Sequence, residues 1–180
     1  MGGGDMGAAQ DQMKQLITLL LVALLSASAL ADEIEARVVK VSDGDTITVL
    51  DHDRREIKIR LAGIDAPEKK QAFGERSKQH LAGLVFGKDV RIEWHKRDKY
   101  GRTIGKVWVA PASCGNCAKT VDANLAQLTA GMAWWYRQYA KEQPVGDQNQ
   151  YSRAEAEAQN RRTGLWADPS PLPPWEWRHR

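Results

Sequence analysis

Between Ile34 and Val109 the chain is dominated by short stretches in which apolar and polar residues alternate. Thr46-Ile47-Thr48-Val49 alternates, Ile57, Ile59 and Leu61 are interleaved with Lys58 and Arg60, and Val90, Ile92 and Trp94 with Arg91 and Glu93. Side chains of a strand point to opposite faces in turn, so this period predicts strands that each bury one face. Asp51 to Arg54 is polar and sits between two such runs, which predicts a hairpin, and Thr103 to Val109 supplies one further strand. Five strands are expected in all, and between the third and fourth the period changes. There Leu81, Leu84 and Val85 fall at helical spacing within Phe73 to Val85, with Gly87 just beyond as a stop.

After the strands, Val121, Leu125 and Leu128 recur at i, i+4 and i+7 before Gly131, and Tyr151 to Arg162 is rich in alanine, glutamate and arginine before Gly164. This order predicts an α+β fold: a five-stranded OB-type Greek-key barrel with a helix between strands three and four and further C-terminal helices. Asp168 to Arg180 is proline-rich and is expected to pack as an extended tail or to stay loose. The domain is therefore placed at 32–168, with a proline- and tryptophan-rich tail at 169–180.

The first 31 residues belong to a different pattern. Lys14 is followed by an apolar run from Leu16 to Leu25 and a small, neutral stretch from Ser26 to Ala31 ending in Ala29-Leu30-Ala31, the layout of a secretory signal peptide. The run is shorter than the roughly 20 residues a bilayer span needs. Export to the periplasm or extracellular space is expected, with Asp32 as the mature N-terminus, no membrane association thereafter, and Met13 as the true start. Removing 1–31 raises the formal net charge from +3 to +4, because Lys14 leaves together with Asp5 and Asp11. That mild basicity suits a polyanionic partner such as nucleic acid.

Compartment also decides what Cys114 and Cys117 mean. In the cytosol their spacing would suit half a zinc site or a redox pair, yet no second C-x-x-C or paired histidines complete a tetrahedron, and no thioredoxin-like pattern surrounds them. In an exported chain a local disulfide is the expectation.

Three polar segments carry candidate chemistry. Asp43-Gly44-Asp45-Thr46 offers carboxylates beside a flexible glycine at the start of a strand. In Arg60-Leu61-Ala62-Gly63-Ile64-Asp65-Ala66-Pro67-Glu68, alternation turns Arg60 away from the apolar Ile59 and Leu61, and the chain then presents Asp65 and Glu68. Pro67 biases Ala66 toward an extended backbone, orienting its carbonyl as a neutral oxygen ligand. Asp98-Lys99-Tyr100-Gly101-Arg102 is a polar turn that supplies a second arginine, whose planar fork can bond two phosphate oxygens at once. Hard-cation phosphodiester cleavage requires these parts: oxygen ligands, a positioned water and fixed cations.

Together and in this order, the DGDT, R-x-x-x-x-D-x-P-E and D-K-Y-G-R segments resemble those of the thermonuclease (staphylococcal nuclease) family, and Gly164-Leu165-Trp166 resembles its last helix. The resemblance implies a calcium ion bound by Asp45, Asp65 and the Ala66 carbonyl, Glu68 as the base that activates water, and Arg60 and Arg102 on the phosphate. DNA and RNA are the implied substrates, cut to 3′-phosphorylated products by a monomer with no stable protein partner. Lys99, Tyr100, Arg137 and Tyr139 are candidate substrate contacts. In this chain Ala66 stands where the staphylococcal protein has a threonine, and the aromatic run from Trp134 to Tyr139 also differs.

Read singly, these segments are ordinary turns and helix starts, and of the seven tryptophans Trp94 and Trp108, which lie within strand patterns, are expected in the core, while Trp134 and Trp135 suit base stacking as well as packing. The rival function is a non-catalytic OB-type module that binds single-stranded nucleic acid. Such a module has no need of Asp45, Arg60, Asp65, Glu68 and Arg102 together.

Overall fold

In the computed structural model, which describes residues 32–180, the predicted alternation closes into a barrel; the expected signal peptide lies outside the described residues. The strands are β1 (Asp32–Val41), β2 (Thr46–Leu50), β3 (Glu56–Leu61), the two-residue β4 (Ile64–Asp65), β5 (Asp89–Arg97) and β6 (Thr103–Val109). β1 pairs antiparallel with β2 and with β5, β2 with β3, and β5 with β6. The ring closes through a parallel pairing of β3 with β6, which sets Ile59 opposite Thr103 and Leu61 opposite Gly105. Closure removes both sheet edges and gives the five-stranded Greek-key barrel expected from the element order.

Val38, Ile47, Val49, Ile59, Ile92 and Val107 are at most 1% exposed. Each such side chain contributes about 1.5–3 kcal/mol when taken out of water, so the barrel is a rigid platform. The helix α1 (Gly74–Val85) adds Leu81 and Val85 to the same core. Further elements follow: β7 (Val121–Asp122), α2 (Ala123–Thr129), β8 (Trp134–Trp135), α3 (Val145–Asn160) and α4 (Pro174–Trp177), with 3-10 turns at Arg137–Glu142 and Gly164–Ala167. None of the described helices is long and apolar enough to cross a membrane.

The sequence pattern misplaces several boundaries. Val121 pairs with Val109 as part of β7, and the helix starts after Asp122, whose carboxylate accepts the Leu125 N–H at 3.0 Å and caps it. The helix expected from Tyr151 begins at Val145; its buried residues, Tyr151, Ala154, Glu155 and Ala158, all lie from Tyr151 onward, so its first turns carry no apolar period to mark them. Trp108 is not in the core: it lies on the outer face of β6 between the Arg91 guanidinium (5.4 Å) and the Lys106 ammonium (4.6 Å). The tail contains a helical turn, α4, with Pro174 in its first turn, where a missing N–H has no consequence.

Gly131 and Gly164 are required by close backbone approach. Each has positive φ, Leu165 N–H donates to the Gly131 carbonyl at 2.8 Å, and a β-carbon at either would sit 2.2 Å from a carbonyl oxygen. Cys114 and Cys117 are bonded to each other in the connection between β6 and β7.

Candidate active site

The pairing of β2 with β3 places Thr46 opposite Arg60, which brings Asp45 alongside the guanidinium. Asp45 is held from three sides. Its Oδ2 accepts the Ala66 N–H at 2.6 Å and lies 3.1 Å from Arg60 Nη1, and its Oδ1 accepts the Thr46 hydroxyl at 3.1 Å. Asp65 enters from β4, which hangs on β8 through the pairing of Asp65 with Trp134. Its Oδ1 is 2.8 Å from Arg60 Nη2. Arg60 Nη1 also donates to the Ile64 and Leu61 carbonyls at 2.8 and 3.1 Å, so both Nη groups are held in place.

Asp45 is 5% exposed and Asp65 1%. Burial pushes the Asp45 carboxyl up to about 8 against the opposing charge of Arg60, with Asp43 and Asp65 adding to the rise. At neutral pH that carboxyl is therefore mostly protonated, and a further cation beside it would favour the ionised form. Asp43 itself turns inward locally, accepting the Asp45 N–H at 3.1 Å.

Glu68 sits at the next turn, where its N–H donates to Gln71 Oε1 at 3.0 Å and its carbonyl accepts the Gln71 N–H at 2.8 Å. A β-carbon at Gly74 would fall 2.0 Å from that carbonyl, so α1 can start where it does only with glycine in its first position. The Glu68 carboxylate is paired with Arg178, whose Nη1 lies 2.8 Å from Oε1. Arg178 Nη2 also lies 2.8 Å from Asp65 Oδ2. These hydrogen bonds to Asp65 and Glu68 raise the Arg178 guanidinium above its ordinary value despite partial burial.

The same residues open on a cleft of about 830 Å³ whose far rim is cationic. In the turn between β5 and β6, Asp98 Oδ1 accepts the N–H groups of Tyr100 and Arg102, both at 2.9 Å, and Oδ2 accepts Arg102 Nε at 2.7 Å. Burial opposes ionisation of Asp98, but the bonds from the Arg102 side chain and backbone outweigh it and hold the carboxyl below its ordinary value. Anchored through Nε, Arg102 has no described partner at either Nη. Lys99 and Tyr100 line the cleft beside it, with the Tyr100 ring flanked by the Lys99 ammonium (5.1 Å) and the Arg102 guanidinium (5.4 Å). Tyr139 lines it too, beneath Lys96.

Of the four candidate substrate contacts, Arg137 is not brought to the cleft. It pairs with the buried Glu155 and lies 4.7 Å from the Trp135 ring, and Glu155 also accepts the Trp135 N–H at 2.9 Å. Among the lining residues to which the sequence pattern assigns no role are Tyr136 and, from the tail, Arg178. The signal for Arg178 was the Pro173-Pro174 helix start four residues ahead of it, which tells of a turn but not of its docking.

The donor set suits a hard divalent cation. Two nearly fully buried carboxylates, Asp45 and Asp65, line the cleft together with the buried Ala66, whose carbonyl accepts no hydrogen bond from the described residues. No group of three or more acidic, histidine or cysteine side chains able to hold a metal occurs among the described residues, so a cation bound here would need the Ala66 carbonyl and water beside the two carboxylates.

A family model described as staphylococcal nuclease homologue matches residues 58–168. The chain is 41% identical to a micrococcal nuclease of Shigella flexneri over 162 residues, covering 90% of each. It is 42% identical to an uncharacterized endonuclease of Escherichia coli O157:H7 over 168 residues, 93% of this chain and 99% of the relative. It is also 42% identical over 158 residues to protein ParB of Escherichia coli, 88% of this chain and 86% of the relative.

Proposed function

We propose, starting from the fact that this chain belongs to the staphylococcal nuclease family, that it is an exported, calcium-dependent, sugar-nonspecific nuclease acting as a monomer on DNA and RNA. The observation that carries the reading is the buried Asp45–Arg60–Asp65 cluster, opening on a cleft whose opposite rim presents the uncommitted fork of Arg102. Asp45, Asp65 and the Ala66 carbonyl would hold calcium. Such an ion, when bound, supplies Lewis-acid stabilisation of charge on a phosphate oxygen.

The chain's own residues do the rest. Glu68 accepts a proton from the water that attacks phosphorus, the bond to the 5′ oxygen breaks, that oxygen takes a proton from solvent and leaves as a 5′-hydroxyl, and a 3′-phosphate remains. Arg102 meets the phosphate with both Nη groups, while Arg60 fixes the two carboxylates from behind and presents positive charge to the same oxygens. Lys99, Tyr100 and Tyr139 line the path of the strand.

Calcium-titrated digestion of single-stranded DNA, duplex DNA and RNA, with end-group analysis, tests the proposal. All three are expected to be cut to 3′-phosphorylated ends in calcium and spared in chelator. Glu68→Gln is expected to keep calcium and DNA binding and lose turnover, because an amide does not accept the proton. A well-folded Glu68→Gln that cleaves at the parental rate would overturn the mechanism, and a parental protein that binds DNA without cutting it would favour the binding-module reading.

A further inference from the structure

Beyond Asp168, where the family match ends, the chain returns to the cleft. Gln71 Nε2 donates to the Leu172 carbonyl, Pro174 is buried, and Trp175 packs edge-on to Trp134 and stacks on Tyr136 at 5.6 Å with the planes 11° apart. Aromatic anchors of this size make α4 a docked strap. The last turn of that strap delivers Arg178, with one Nη on Glu68 and the other on Asp65.

Among the described residues the Glu68 carboxylate has no other hydrogen-bond or ion-pair partner. Its side chain is 40% exposed, and three rotatable bonds separate it from the backbone. A general base must be held close to its productive geometry, and a solvent-facing glutamate alone is not. Asp65, 1% exposed and clamped by Arg60, is the rigid point available.

We infer that Arg178 is a positioning residue of the active site, coupling Glu68 to the immobile Asp65, and that segment 169–180 is the strap that carries it. The inference rests on the assignment of Glu68 as base. Only a planar fork spans the two carboxylates in this way; a lysine ammonium is a single point. An arginine that merely plugged the site would give the opposite kinetic outcome.

The test compares the full chain with Arg178→Ala, Arg178→Lys, Trp175→Ala and, as a control on the exposed terminus, Arg180→Ala. In calcium with single-stranded DNA, Arg178→Ala is expected to lower kcat on the order of 10- to 100-fold with KM little changed, as for a misplaced catalytic group. Arg178→Lys should not restore it. Guanidinium ion at tens of millimolar should recover part of the lost turnover in Arg178→Ala and none in Glu68→Gln. Trp175→Ala keeps Arg178 but loosens the strap, so it should share the kcat loss. In chelator, without any turnover, its tryptophan emission should shift to the red and its melting temperature fall, whereas Arg180→Ala should match the parent throughout.

Unchanged kcat in Arg178→Ala, or failure of guanidinium to restore any, overturns the inference while leaving the nuclease reading intact. A raised kcat would make the strap a plug and overturns it too. A parental protein without nuclease activity overturns the nuclease reading itself.

Discussion

Replacing Arg60 with methionine removes a guanidinium of similar length from between two buried carboxylates, and its effect on stability can be worked from the contacts. Losing one partner of a buried ion pair costs about 3–5 kcal/mol, because the remaining charge is stranded away from water. Here the losses are softened: Asp65 keeps Arg178 at 2.8 Å, and Asp45, already raised to about 8, keeps the Ala66 N–H and the Thr46 hydroxyl and can take up a proton in place of the lost cation. The lower end, about 3 kcal/mol, is therefore expected. For a domain of this size 1 kcal/mol moves the melting temperature by about 2–4 °C, which gives a fall of about 6–12 °C. The assay is thermal unfolding by circular dichroism in chelator at neutral pH, repeated along a calcium titration. A cation that binds only the native state stabilises with the logarithm of its concentration, and the variant should gain more than the parent, since the lost positive charge is what calcium replaces. Adding Asp45→Asn removes the carboxylate left without a cation and should restore part of the stability. Melting of Arg60→Met within about 2 °C of the parent in chelator would refute the reasoning, since two carboxylates this deeply buried could not then be relying on Arg60.

Asp98→Asn frees Arg102 without touching the barrel core, so kcat/KM should fall about 10-fold while the melting temperature changes little. Because the native Asp98 carboxyl titrates below its ordinary value, its contribution to stability is present above about pH 4 and lost as pH falls through the lowered value; acid unfolding of Asp98→Asn should lack that component. Glu155→Ala leaves the Trp135 N–H and Arg137 without their acceptor and should cost about 2–3 kcal/mol in urea unfolding, together with loss of order at β8. N-terminal sequencing of exported protein should begin at Asp32, on the strength of Lys14, the apolar run and Ala29-Leu30-Ala31, and mass spectrometry of the same material should find no free thiol at Cys114 or Cys117. An intact Met13 terminus, or two free thiols, would count against each in turn.

The amino-acid sequence by itself determined the barrel, because period-two alternation is a local signal: wherever Ile57, Ile59 and Leu61 point one way, Lys58 and Arg60 must point the other. It also determined which residues could carry chemistry, since carboxylates, a proline-constrained carbonyl and two arginines stand in short segments whose spacing is visible. What it did not determine is how those groups divide their bonds. That Arg60 spends its fork on Asp45, Asp65 and two carbonyls follows from the β2–β3 register and from β4 hanging on β8, both contacts between distant parts of the chain. Arg137 and Arg178 show the same limit from opposite sides. Arg137 lies beside cleft aromatics in sequence yet is taken by Glu155, eighteen residues on, whereas Arg178 stands in a proline-rich ending yet meets Glu68 across 110 residues. Helix and strand periods report which face of an element is apolar; only tertiary packing decides which buried charge a solvent-facing cation will reach, because that choice depends on loop closure and docking rather than on any neighbour in sequence.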